Sequence, residues 1–313
     1  LAPIALETDG LYCCQHAECR AQLIKCDNYF RHQVCNRAIC CSDGMLRQRL
    51  CDCCCYNEVI PDLTVPGNHG RWYRLEVAKR RLCYGLDLVG LPRGSASGAM
   101  QPPLTFQFLA DIEAPWWGAA TPRAFTGHYH GRITINIREA DDDERERLRV
   151  QFGEARRTLI GHFRHEIGHY YWEALIHHRI EDEFKAVFGD HEQISYGVAS
   201  QQHYQSGPLL DWQHHHVSAY ASMHPLEDFA ETFAEYLGMV CLLESAGNVG
   251  LGDGLQQQSL DGMLSDYRKC GIAMNEMNRS MGLVGLVPEI VAAPVIDKLR
   301  FVDDFIRRAS GRL

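Results

Sequence analysis

The sequence lacks any run of about 20 uninterrupted apolar residues, the length that a membrane-crossing helix needs. Its most apolar stretch, Gly282 to Ile296, is broken by Pro288, Glu289 and Pro294, so no membrane partner is expected. Basic residues are also in short supply. Lys and Arg number 31 against 40 Asp and Glu, a net charge of −9. Nucleic-acid backbones are bound by a surplus of Lys and Arg, so a nucleic-acid partner is not expected either. The first residue is Leu, and no charged start followed by an apolar core is readable as a signal peptide. Cysteine is almost missing from most of the chain: beyond Cys55 only Cys83, Cys241 and Cys270 occur.

The other eleven of the fourteen cysteines crowd between Cys13 and Cys55. The segment up to about residue 60 has no long apolar period, cannot build much core and needs a staple. The run Cys51-Asp52-Cys53-Cys54-Cys55 suits metal thiolates better than disulfides, because neighbouring cysteines make poor pairing partners. An even-numbered disulfide framework is the alternative. Thiolates imply a reducing, cytoplasmic compartment, with secretion left open because the start may have been processed.

With 46% hydrophobic and 23% charged residues over 313 positions, the chain reads as an ordinary globular protein of two domains. Residues 1–63 are expected to form a small Cys-rich domain, 64–98 a linking helix and boundary loop, and 99–313 the larger domain. In the linker, Trp72, Leu75, Val77, Ala78, Leu82 and Leu86 recur at helical spacing. The Gly-, Ser- and Pro-rich run from Gly90 to Gly98 closes it. Beyond, the pattern is α+β. Leu104 to Leu109 reads as a strand, and Arg132 to Ile137 alternates β-branched with polar residues. Helical periods follow from near Glu154 to His177, from Pro225 to Leu243 and from Val295 to Arg308.

The first of those helices carries His165-Glu166-Ile167-Gly168-His169. Residues four apart stack on one helix face, so both imidazoles reach one ion. A zinc ion there lowers the pKa of a bound water from 15.7 to about 7, and Glu166 is placed to take its proton. A catalytic zinc needs a third protein ligand. A histidine six residues on, behind a glycine, is ruled out, since Trp172 and Leu175 occupy those positions. The alternative is a glutamate on a later helix. Glu227, 58 residues after His169, opens the E-x-x-A-E pattern Glu227-Asp228-Phe229-Ala230-Glu231, which resembles the ligand helix of the gluzincins. Glu231 would then support a ligating histidine through its other ring nitrogen. From Leu226 to Leu243 no Lys or Arg occurs, so these acids do not read as a solvated ion-paired stripe. His162 lies near the same face as His165. Tyr220, just upstream, is the candidate donor to the transition state, with Tyr196 and Tyr204 competing. The run His214-His215-His216 reads as a polar loop.

Taken together, Gly131-Arg-Ile-Thr-Ile-Asn-Ile137, Gly161-His-Phe-Arg-His-Glu-Ile-Gly-His-Tyr-Tyr-Trp172 and Ser218-Ala-Tyr-Ala-Ser-Met-His-Pro-Leu-Glu-Asp-Phe-Ala-Glu231 closely resemble the bacterial family of zinc-binding metallopeptidases with an N-terminal zinc ribbon. The likeness extends through Ile60-Pro-Asp-Leu63 and the tail Asp297 to Val302. It implies a gluzincin-like (zincin) fold with a His-Glu-x-x-His helix beside a small sheet. It also implies Glu166 as base, His165, His169 and Glu227 as ligands of a catalytic zinc, and a peptide or protein substrate. Cys26, Cys35, Cys51 and Cys54 look like the family's ribbon and would hold a second, structural zinc. The tryptophan expected shortly after Cys35 is absent, and Cys40, Cys41, Cys53 and Cys55 are extra. On this reading the strand Ile133 to Ile137 lines the cleft and pairs with an extended substrate. The competing reading is a non-catalytic, zinc-stabilised interaction module that uses the ribbon.

Overall fold

The structure is a computed structural model. It describes residues 4–6, 12–14, 21–40, 50–95, 98, 100–111, 126–143, 158–252, 254–255, 259–285, 287–288 and 290–311. Cys19, Cys41 and the expected helix start near Glu154 lie outside them. The chain divides into two compact units, one of residues 1–81, 105–126 and 134–141, the other of 82–104, 127–133 and 142–313. The whole is a mixed helix-and-sheet protein with a Cys-rich cluster near its N-terminus.

In the first unit, β1 (Ile4–Leu6), β2 (Tyr12–Cys14), β3 (Gln22–Lys25) and β4 (Ala38–Cys40) form an antiparallel sheet in chain order. Helix α1 (Asp27–His32) sits between β3 and β4. Strands of three or four residues bury little. After a 3₁₀ turn, β5 (Asn57–Val59) pairs in parallel with β6 (Thr105–Leu109). In β6 the alternate residues Phe106 and Phe108 are fully buried, as a strand's two-residue period requires. Helix α2 (Asn68–Val89) starts in this unit and buries Trp72, Leu75 and Ala78. Glu76 and Lys79 share that face and are also buried. They are tolerable there because they pair at 2.8 Å and Trp72 Nε1 donates to Glu76 Oε1 at 3.2 Å.

Strand β7 (Gly127–Tyr129) turns through His130 and Gly131 into β8 (Arg132–Asn136). Both turn residues have positive φ, 46° and 76°, the signature of a type I′ hairpin. The second sheet runs β5-β6-β8-β7. Strand β8 thus has neighbours on both sides, which overturns the expectation that it pairs with a substrate backbone; among the described residues β7 is the edge.

The helices are α3 (Leu159–Tyr171), α4 (Glu181–Phe188), α5 (Tyr196–Ser206), α6 (Pro225–Asn248), α7 (Leu260–Ser280) and α8 (Ala293–Ala309). Helix α3 starts at Thr158, whose hydroxyl accepts from Gly161 N at 3.0 Å, and it ends in a π turn over Trp172–Ile176. Phe184, Phe188, Phe229 and Phe301 interlock with ring centroids 5.1–6.4 Å apart, tying α4, α6 and α8 into one core. Each such ring contributes about 1.5–3 kcal/mol by burial. Helices α3 and α6 meet at Gly168, where an added Cβ would lie 3.0 Å from Ala230 Cα. No helix among the described residues is long and apolar enough to cross a membrane.

Candidate functional site

The close approach at Gly168 brings one face of α3 against the first turns of α6. Helix α6 opens with Pro225 at its first position, and His224 Nδ1 accepts from Leu226 N at 3.2 Å. Glu227 and Asp228 stand in that first turn, where the positive end of the helix dipole favours carboxylates.

Three ligand-type side chains converge there. His165 Nε2 lies 3.1 Å from His169 Nε2 and 3.0 Å from Glu227 Oε2, and His169 Nε2 lies 3.4 Å from Glu227 Oε1. Glu227 is 1% exposed. On the far side of the ring, His165 Nδ1 stands 2.6 Å from Glu231 Oε1. With the Nδ1 proton donated to Glu231, Nε2 faces a second imidazole nitrogen and a carboxylate. Such a cluster of acceptors needs positive charge at its centre. Glu227 Oε2 is buried and receives no hydrogen bond. Tetrahedral zinc, with bonds of about 2.0–2.1 Å to N and O, sets its ligands roughly 3.3 Å apart. The three residues fit such an ion in donor type and in spacing.

The electrostatics agree. Burial alone pushes the His165 pKa down, but Glu227 and Glu231 hold it well above its ordinary value. Burial pushes Glu227 up, and His169 and His165 overcome this and hold it well below the carboxylate range. Glu166, 5% exposed, follows the same pattern: burial raises it, and His162, His165 and His169 bring it below its usual value. His162 Nε2 lies 3.3 Å from Glu166 Oε1, while Oε2 is buried without a hydrogen bond. An ionised carboxylate with an unsatisfied oxygen therefore stands beside the cluster.

Two tyrosines flank it. The Tyr220 ring lies 6.0 Å from the His165 ring. Tyr196, at the start of α5, donates from Oη to Glu227 Oε1 at 2.9 Å. It also bonds to Tyr220, and burial raises both phenols, so both stay protonated donors. The Tyr196 contact is not visible in the sequence, where Tyr196 is only one of three competing tyrosines. His128 and Glu173 carry no sequence signal at all. His128 Nε2 stands 3.3 Å from Glu173 Oε2.

A separate cluster lies in the first unit. Sγ atoms of Cys26, Cys35, Cys51 and Cys54 all lie within 4.8 Å of one another, and all four residues are buried. Cys35 and Cys51 are 3.8 Å apart, far beyond a disulfide and close to the separation of about 3.8 Å that tetrahedral zinc imposes through 2.3 Å bonds. Backbone N–H groups of Arg37, Cys51 and Cys54 point at the sulfurs of Cys35, Cys26 and Cys51 from 3.3–3.4 Å, an arrangement that favours thiolates. The bond with Cys35 brings Cys26 down to about 7. Of the extra cysteines, Cys53 is buried and Cys55 exposed, and neither belongs to the cluster.

A His, His, Glu cluster with His165 and Glu227 buried and His169 half-buried, on two packed helices, with a four-cysteine cluster elsewhere in the chain, defines a protein built around candidate metal sites. Residues 68–305 match the model of the family described as "Putative zinc-binding metallo-peptidase", and the chain belongs to that family. It is 36% identical over 263 residues to uncharacterized proteins of Mycobacterium bovis and of Mycobacterium tuberculosis strains CDC 1551 and H37Rv, covering 81% of this chain and 74% of each relative. No solved structure matches it.

Proposed function

We propose that the chain is a zinc-dependent metallopeptidase that hydrolyses peptide bonds, with His165, His169 and Glu227 as ligands of the reactive ion. The observation that carries this reading is the convergence of the three ligand side chains, with contacts of 3.0–3.4 Å between their ligand atoms. A zinc ion held there supplies a Lewis acid that polarises a carbonyl and lowers the pKa of water toward about 7. The proton work falls to Glu166. Its carboxylate takes the proton of the attacking water and delivers it to the leaving amine. Glu231 fixes the tautomer and orientation of His165. The neutral hydroxyls of Tyr220 and Tyr196 are donors for the developing oxyanion. Cys26, Cys35, Cys51 and Cys54 hold a second, structural zinc in an N-terminal ribbon, and the larger domain is a zincin.

The test is zinc per chain by elemental analysis. The expected result is two ions in the native protein, one in the His165→Ala/His169→Ala variant, and two with no peptidase activity in Glu166→Gln. A zinc content unchanged by the double substitution would overturn the reading in favour of an interaction module built on the four-cysteine cluster.

A further inference from the structure

Two sequence features are left unused by that chemistry: the His214–His216 run and the tail around Lys298. The fold brings them together. Lys298 lies in the second turn of α8, only 7% exposed. Its ammonium reaches the His215 carbonyl at 2.6 Å, His216 Nδ1 at 3.3 Å and Asp228 Oδ2 at 2.6 Å. An ammonium has three N–H groups, and here it meets three acceptors. Asp228 is 1% exposed and follows Glu227 in the first turn of α6. Its Oδ2 is also 3.2 Å from His216 Nδ1. Neither Oδ1 nor Oδ2 receives a hydrogen bond, so the ion pair with Lys298 at Oδ2 is what offsets its charge.

We infer that Lys298 is a positioning residue for the metal centre, holding Glu227 in place through Asp228. The inference rests on the reading of Glu227 as a ligand. Its physical basis is the weakness of helix ends. The first N–H groups of a helix lack intrahelical partners, and a first turn frays unless it is tied down. His224 caps this turn at Leu226 N, and Asp228 ties it sideways to α8 and to the 215–216 segment. Lys298 also offsets one of three neighbouring carboxylates, Glu227, Asp228 and Glu231, which would otherwise repel one another beside the ligand atoms. Removing the clamp lets the first turn move, and ligand groups are sensitive to shifts well below 1 Å.

The experiment measures zinc affinity by chelator competition on the full chain, with thermal unfolding of each variant alongside. Lys298→Met is expected to weaken the His165 site about 10- to 100-fold and leave the four-cysteine site unchanged. Lys298→Arg, which keeps the cation, is expected to restore most of the affinity. Tyr236→Phe is the control. Tyr236 Oη donates to Asp303 Oδ1 at 2.5 Å, bridging the same helix pair farther along α6, so its loss is expected to lower the unfolding temperature without changing zinc affinity. Should Lys298→Met fail to fold for want of a partner to Asp228, the Asp228→Asn/Lys298→Met variant carries no buried charge there and is expected to show the same loss of affinity. Native affinity in that double variant or in Lys298→Met would overturn the inference. So would a loss in Tyr236→Phe as large as that in Lys298→Met. Failure of the underlying reading looks different: the native protein itself would show no zinc lost on His165→Ala/His169→Ala.

Discussion

Nδ1 of His165 lies 2.6 Å from Oε1 of Glu231, so the imidazole is held from behind by a carboxylate one helical turn beyond Glu227. This contact decides which ring nitrogen faces the other acceptors. Glu231→Ala is expected to lower zinc affinity at this site about 10- to 100-fold, and Glu231→Gln, which still accepts a hydrogen bond, by less. Chelator competition measures both. Equal affinity in native and Ala variants would show that His165 is oriented by something else.

The two tyrosines are expected to separate in their effects. Tyr196 touches Glu227 at 2.9 Å, so Tyr196→Phe should weaken zinc binding. Tyr220→Phe should leave metal content intact and lower kcat by about 10²-fold, the usual loss for one oxyanion donor. Steady-state kinetics on a peptide substrate, run beside metal analysis, tells them apart; a Tyr220→Phe enzyme with native kcat would remove that residue from the chemistry.

Cys51→Ser is expected to remove one zinc and to destabilise the N-terminal segment, because its short strands supply little core and metal binding is coupled to folding. The loss should be on the order of several kcal/mol for that segment. Circular dichroism melts and zinc counts check it. A native melt with one zinc missing would show that the segment folds without its staple.

Acid should reveal His128. Burial holds its pKa at about 4, against about 6.5 for an unfolded histidine. Between those values the unfolded chain binds a proton that the folded chain does not. Stability from this group is therefore complete above about pH 6.5 and falls as pH drops toward 4, by at most about 3.4 kcal/mol. Urea unfolding at pH 7 and pH 4.5 should show a smaller acid loss in His128→Asn than in the native protein. Parallel profiles would refute it.

Much of the site could be read from residue order because each part had a periodic or spacing signal. His165 and His169 are four apart on an amphipathic helix, and Glu227 opens an acidic turn with no cation nearby in sequence. Strand β8 and helices α2, α6 and α8 announced themselves by apolar period. Helix α5 did not: of its residues only Ala199 is buried, so no apolar stripe exists to be seen, yet it carries Tyr196 to Glu227. Helix α7 hides for another reason. Its buried face runs Leu260, Met263, Tyr267, Gly271 and Asn275, and the last two do not count as apolar. Gly271 must be small, since a Cβ there would fall 2.3 Å from Val287 Cγ1. The place of β7 at the end of its sheet among the described strands and the Lys298 clamp depend on contacts between distant segments, which no local pattern encodes.

Gly168 sits between the two histidines, and an added Cβ would lie 3.0 Å from Ala230 Cα and 3.3 Å from Ala230 O. The two helix backbones thus approach so closely that any side chain at Gly168 would displace Ala230, and a wider spacing between the imidazoles and Glu227 would follow. With an ion held as proposed, such a pocket would sort ions by radius. Calcium, with oxygen bonds of about 2.3–2.6 Å and six to eight ligands, would have to pry apart two helices braced by their neighbours, whereas an ion with bonds near 2.0 Å asks for no movement. On that reading, size exclusion of the larger cation would follow from a missing methyl group at Gly168.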